Sequence, residues 1–224
     1  MRAIPREVND AFLKDAADAY AFGLWCADSY WWSSSIGISN VEPELVVRFS
    51  TYLVRTLSPE RLRVRVYLVP GDQPDERVVR LTDRVSIRPA VKMKRTAYHA
   101  YVNSRVLVRC FLGARSHVSE LLPDHLIAAY VAGRFDGDGC LGSRVRIAYT
   151  TEEEARVDRT VLERVGITAT SVLTYSSARE YCVYIKKTAV DEFVRLIAPF
   201  SWKAASFHPV ETVMASIPGK LPNL

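Results

Sequence analysis

The sequence predicts an α+β fold made of two similar halves, 1–118 and 119–224, each running in the order αββαββα. Three observations predict it. One helical segment occurs twice, half a chain apart. Strand-like stretches follow both copies in the same order. Hydrophobic residues make up 49% and charged residues 25%, the balance of a chain that buries a core.

The repeated segment comes first, because an internal repeat sets the reading of everything around it. Residues 19–29, AYAFGLWCADS, match residues 129–139, AYVAGRFDGDG, at an offset of 110. Identities fall at Ala19/Ala129, Tyr20/Tyr130, Gly23/Gly133 and Asp28/Asp138, with small residues at Ala27/Gly137 and aromatics at Trp25/Phe135. Leu126, Tyr130, Gly133 and Gly137 follow steps of four, three and four, so they share one face of a helix over 119–138. Ala16, Tyr20, Gly23 and Ala27 form the matching face of the first copy. Glycine inside a helix costs roughly 0.5–1 kcal/mol against alanine. Gly23 and Gly133 therefore ask for a packing reason, and close approach of the two helices supplies one.

In the first half, residues 33–39 read as a strand, and Asn40 is placed to cap a helix over 42–56. Residues 61–68, RLRVRVYL, alternate with period two, and 86–94 and 97–103 read as further strands before a closing helix at 104–113. In the second half, 143–150 reads as a strand. Thr151 and Glu154 form a capping box for a helix to Val165, which Gly166 stops. Strands at 170–175 and 181–186 and a helix at 189–198 complete the order. The bulky pair Trp31-Trp32 reads as core packing.

Each repeated helix ends on an aspartate. If the helices pair in parallel, Asp28 and Asp138 meet at one end. Two carboxylates a few ångströms apart repel, unless a cation lies between them. A hard divalent ion such as Mg²⁺ takes oxygen ligands and neutralises such a pair, and metals so held serve phosphodiester hydrolysis. An aspartate beside glycine at a helix end is by itself an ordinary turn residue; its recurrence half a chain away is the signal. Asp-Gly-Asp-Gly at 136–139 also resembles the start of a calcium loop, but CLGSRVRI at 140–147 lacks the later ligands.

Other classes are excluded more simply. The four cysteines, 26, 110, 140 and 182, form no C-x-x-C pair, and the four histidines share no ligand-like spacing, which argues against zinc and for a reducing, intracellular setting. The first residues lack the apolar core of a signal peptide, neither end reads as a splicing segment, and no stretch approaches membrane-spanning length. No glycine-rich phosphate loop, H-E-x-x-H or Ser-His-Asp order is present. A net charge of +5 suits a polyanionic partner without proving one.

VAGRFDGDG (131–139) resembles the LAGLIDADG motif of homing endonucleases, and FGLWCADS (22–29) resembles a divergent copy. The flanks ISNVEPELVVRF (38–49) and LLPDHLIAAYVAGRFDGDG (121–139) are similar too, so the resemblance covers nearly the whole chain as a tandem repeat. It implies a monomer of two halves whose motif helices form the central interface. A saddle of antiparallel strands would lie in the major groove of double-stranded DNA with a long, partly tolerant target. Both strands would be cut across the minor groove, leaving short 3′ overhangs. Neither a membrane nor an obligate protein partner is implied. Asp28 and Asp138 would be the catalytic metal ligands, with Ala27 and Gly137 beside them at the metal. The cofactor would be Mg²⁺, with Mn²⁺ or Ca²⁺ able to occupy the site. Lys203 and Arg115 would stand near the cleaved phosphates. Cys26 replaces the first acid of motif one, and Ser29 its final glycine.

A DNA-reading face follows from the strand pattern. Arg61, Arg63, Arg65 and Tyr67 point away from Leu62, Val64, Val66 and Leu68. Arg88, Lys92 and Lys94 extend this face, Arg144 and Arg146 repeat it in the second half, and Lys186 joins it there. Arginine reads guanine O6 and N7, although solvated strand faces carry arginine as well. The alternative to a nuclease is a non-cleaving binder on the same scaffold, an intron RNA maturase or a DNA-binding regulator.

Overall fold

Proline and glycine punctuate the chain where the elements start and stop. The computed structural model describes residues 13–32, 34–168, 170–175 and 180–205. In chain order these form α1 (Ala16–Asp28), β1 (Ser29–Trp32), β2 (Ser35–Asn40), α2 (Pro43–Thr56), β3 (Arg63–Leu68), α3 (Glu76–Val79), β4 (Val85–Pro89), β5 (Ala97–Asn103), α4 (Arg105–Arg115) and α5 (Val118–Leu121). Then follow α6 (Asp124–Asp138), β6 (Gly139–Leu141), β7 (Val145–Tyr149), α7 (Glu152–Arg164), β8 (Thr170–Tyr175), β9 (Glu180–Ile185), α8 (Val190–Ile197) and α9 (Trp202–Ala205).

Pro43 opens α2, where a missing N–H costs nothing. Pro123 divides the expected helix 119–138 into α5 and α6, because it lacks a donor and disfavours helical geometry at Leu122. Pro89 ends β4, so the expected strand 86–94 is shorter, and Lys92 and Lys94 lie on the loop beyond it. The expected strand 33–39 falls on β2, which pairs antiparallel with β1, a strand the sequence pattern did not single out. Thr151 caps α7 by accepting from the Glu154 N–H, while the Glu154 carboxylate turns to Arg115 rather than closing the box. Gly166, at φ 88°, ends α7; its N–H donates to Glu163 O and that of Ile167 to Leu162 O, the paired bonds of a left-handed helix stop.

The first sheet has strand order β1-β2-β5-β3-β4 and the second β6-β7-β9-β8. The second half keeps the expected order of elements. The first half inserts α3 and β4 between β3 and β5, and β4 pairs with β3 in parallel, Val66 opposite Ile87 and Tyr67 opposite Arg88. All other strand pairs are antiparallel. Leu62, Val64 and Val66 are fully buried, as the period-two pattern requires. Trp31 and Trp32 correct the sequence reading: they are 48% and 74% exposed. β1 is an edge strand with β2 on one side only, so its outer part has nothing to pack beneath.

The two motif helices make the tightest contact. Gly23 lies against the Tyr130 carbonyl and Gly133 against the Tyr20 carbonyl: a Cβ added at either would stand 2.0 or 2.1 Å from that oxygen. Gly137 likewise lies on Ala27. From the reciprocal contacts of Gly23 with Tyr130 and Tyr20 with Gly133 to that of Ala27 with Gly137, the seam advances along both helices, so α1 and α6 run in parallel. Around this seam Phe22, Trp25, Tyr130 and Phe135 are buried, and the Phe22 and Trp25 rings meet Phe111 edge-on at 5.5 and 5.0 Å.

Because backbone cannot yield as a side chain can, Gly23→Ala or Gly133→Ala will cost at least about 2 kcal/mol of stability by urea denaturation. Gly142→Ala, whose new Cβ meets only the Cys140 sulfur at 3.4 Å, will stay within about 0.5 kcal/mol. Equal small losses at all three positions would contradict the close approach.

Candidate metal centre and nucleic-acid interface

Asp28 and Asp138 end α1 and α6, so the parallel seam brings them to one end of the helix pair. That end is the negative pole of both helices, where a carboxylate is disfavoured and a cation favoured. Burial raises the pKa of Asp28, against the opposing effects of an Asn40 hydrogen bond and the positive Lys203 and Arg134. Burial pushes Asp138 up to about 6; Arg134 pulls it down, and the negative Asp28 raises it again. Asn40 Nδ2 donates to Asp28 Oδ2 at 2.7 Å. Asn40 is thus no side-chain cap of α2, although its Oδ1 accepts from the Glu42 N–H.

Lys203, on α9, also faces this end. Its ammonium donates to the carbonyls of Phe135, Gly137 and Gly139 at 3.3, 3.1 and 3.0 Å, closing the C-terminus of α6. Burial lowers its pKa, while Asp136, Asp28 and Asp138 oppose the shift. Asp136 holds α9 in place. Fully buried, it accepts from Tyr20 OH at 2.6 Å, Ser201 Oγ at 2.6 Å and the N–H groups of Trp202 and Lys203 at 2.8 and 3.0 Å. Cys26, its counterpart in α1, is buried, and burial pushes its thiol up to about 12.

Arg115 is half-buried, and its guanidinium is paired with Glu154. With Cys26, Ala27, Ser29, Arg134, Asp138, Tyr149 and Thr150 the two line a cavity of about 340 Å³ beside Asp138. Sequence reading missed Arg134 and Asp158. Arg134 Nε donates to Asp158 Oδ2 at 3.0 Å, and the hydroxyls of Tyr130 and Tyr149 donate to the same carboxylate at 2.8 and 2.9 Å. An arginine inside the otherwise apolar stretch 126–135 of the motif helix was the available signal.

Among the described residues, no three His, Cys, Asp or Glu side chains converge as a metal-binding group. The donor set nevertheless fits a hard divalent cation. It offers two desolvated carboxylates at a doubly negative helix end, and a Gly137 carbonyl that already faces a cation, the Lys203 ammonium. Mg²⁺ ordinarily takes one or two carboxylates and completes its shell with water and phosphate oxygens.

The predicted DNA face divides into engaged and open side chains. Arg61 precedes β3 in a short 3-10 turn and donates to the Asn103 carbonyl. Arg65 lies 5.0 Å over the Tyr101 ring, which stacks on His99, itself edge-on to Tyr30 at 3.8 Å. Burial and Arg65 lower the His99 pKa to about 4. Tyr67 is half-buried on β3. Arg144, in the turn before β7, lies 5.9 Å from the Tyr184 ring, and Arg146 Nη1 lies 3.8 Å from Cys182 Sγ. Arg63, Arg88, Lys92, Lys94 and Lys186 are exposed.

No protein-family model matches the chain, and no curated protein matches it. Solved structures do. A structure of variants of the homing endonuclease I-DmoI superposes with a TM-score of 0.59 at 15% identity, covering 87% of this chain and 98% of that one. I-DmoI in complex with DNA and Ca gives 0.61 at 15%, covering 90% and 98%. The N-terminal LAGLIDADG domain of DUF199/WhiA gives 0.53 at 12%, covering 97% and 98%. The chain therefore has the two-motif LAGLIDADG fold. Other similar I-DmoI complexes contain DNA with Mn or Mg. No helix among the described residues is long and apolar enough to cross a membrane.

The Asp138 shift has a sign that can be measured. Its folded pKa of about 6 lies above the ordinary 3.8, so the folded state holds the proton more tightly. Stability contributed by the protonated group is present below about pH 4 and lost as pH rises through about 6, on the order of 3 kcal/mol in all. In metal-free buffer, Asp138→Asn will remove that part of the decline. An unchanged difference between variant and wild type across pH 4–6 would contradict it.

Proposed function

We propose that the chain is a site-specific double-strand DNA endonuclease acting as a monomer in a reducing, intracellular setting. The observation that carries this reading is the meeting of Asp28 and Asp138 at the shared negative end of α1 and α6, where burial raises both carboxyls. Such a pair binds Mg²⁺, which supplies Lewis-acid polarisation of a phosphodiester and a more acidic water. Asp28 and Asp138 hold the cation, helped by the carbonyls of Ala27 and Gly137. Asn40 fixes the Asp28 carboxylate by its hydrogen bond. Lys203 and Arg115 stand on the two flanks of the centre, where positive charge steadies the cleaved strands' phosphates. The arginine-bearing strands bind the duplex on either side, in keeping with the DNA complexes of I-DmoI.

A second reading, a non-cleaving nucleic-acid binder, is favoured by one observation. The Lys203 ammonium faces the same centre and bonds three carbonyls at the end of α6, so the chain itself supplies positive charge there. One experiment separates the two: incubation of a randomised duplex library with Mg²⁺ and wild type, Asp28→Asn or Asp138→Asn. Loss of several kcal/mol of transition-state stabilisation predicts at least about a hundredfold slower cutting by each variant. Tight, specific binding by the wild type without any cutting would establish the binder and reject the nuclease.

A further inference from the structure

The two sheets present unequal faces to a duplex. The first has a fifth strand, β4, and the second does not. The arginines also differ in what they already hold. A guanidinium whose N–H groups are given to a protein acceptor must release it before it can fork onto a base, and one laid on a ring is held in the plane that the ring sets. Arg61 is held by the Asn103 carbonyl and Arg65 by the Tyr101 ring. In the second sheet, Arg144 rests on Tyr184 and Arg146 on Cys182. Arg63 on β3 and Arg88 on β4 are exposed, and among the described residues neither donates a hydrogen bond or joins an ion pair. They project from strands, where the backbone fixes their spacing, and not from a loop.

We propose that base discrimination is concentrated in the DNA half under the first sheet, where Arg63 and Arg88 each read a guanine. This rests on the DNA-binding part of the function proposed above. The spacing follows from the register. Arg88 pairs with Tyr67, four residues along β3 from Arg63. At about 3.3 Å per residue and about 4.8 Å between strands, the two Cα atoms are about 14 Å apart. With about 3.4 Å per base pair, a strand laid along the groove puts the two guanines about four base pairs apart. Both guanine acceptors, O6 and N7, lie on the major-groove edge and match the guanidinium fork. Lys92 and Lys94, on the loop after β4, carry charge without a fork and bind phosphates, which hold register but carry no base information. Among the described residues of the second sheet, Arg146 lies against Cys182 and Arg144 sits in the turn before β7 and not on a strand, so that half of the target is held more by shape.

The test is selection of bound duplexes from a randomised library, with Ca²⁺ in place of Mg²⁺. The full chain is compared with Arg63→Ala, Arg88→Ala and Lys92→Ala. Wild type will select guanine at two positions about four base pairs apart. Arg63→Ala will lose about tenfold or more of the preference at one position and Arg88→Ala at the other. Lys92→Ala will weaken binding to all sequences alike. Specific binding with both guanine preferences intact in the arginine variants, or with no such pair in the wild type, overturns this inference and leaves DNA binding standing. Failure of the wild type to bind any duplex overturns the DNA-binding reading and this inference with it.

Discussion

Gly23 and Gly133 let two helix backbones touch, and the placement of the candidate site follows from that contact. Each glycine lies on a carbonyl of the opposite helix, so neither helix can slide or rotate without driving backbone into backbone. Asp28 lies five residues beyond Gly23, and Asp138 five beyond Gly133. A parallel seam with this register carries the two carboxylates to one place. The sheets hang from the same ends: β1 begins at Ser29 and β6 at Gly139, each directly after its aspartate. The distance between the arginine-bearing strands and the paired aspartates is therefore set by one packing contact.

Electrostatics at that end run against folding unless positive charge is supplied. Two carboxylates sit on the negative poles of two helices and are partly removed from water. The chain answers with Lys203, which closes three carbonyls of α6, and with Arg134, buried under the centre and neutralised by Asp158. Two tyrosine hydroxyls complete the Asp158 shell, so the buried pair leaves no bare carboxylate oxygen. The halves differ here. Asp136 anchors α9 and so places Lys203, whereas Cys26 offers no comparable acceptor to α5, which has no side-chain cap.

Much of this was legible in the chain. The offset of 110 residues exposed the doubled helix, the small-residue face and both aspartates, because a helix seam needs small residues at fixed spacing and leaves that demand in the text. The alternation of 61–68 exposed a strand with one buried face for the same reason. What escaped was set by long-range contact. Nothing local says that Asn40 turns to Asp28, that Glu154 leaves its box for Arg115, or that Asp158 receives Arg134. The insertion carrying β4 breaks the constant offset, so its parallel pairing had no counterpart to be read from. Trp31 and Trp32 misled because bulk and hydrophobicity suggest burial, while an edge strand leaves them uncovered.

The central claim is that the glycine seam builds one cation-binding centre from an aspartate of each helix. Titration of the full chain with Mn²⁺ in the presence of duplex DNA, followed by electron paramagnetic resonance, tests it most directly. Wild type will bind saturably, and binding will weaken in Asp28→Asn and in Asp138→Asn alike, since both carboxylates face the same centre. Binding that persists unchanged in either variant, or no binding by the wild type, would contradict it.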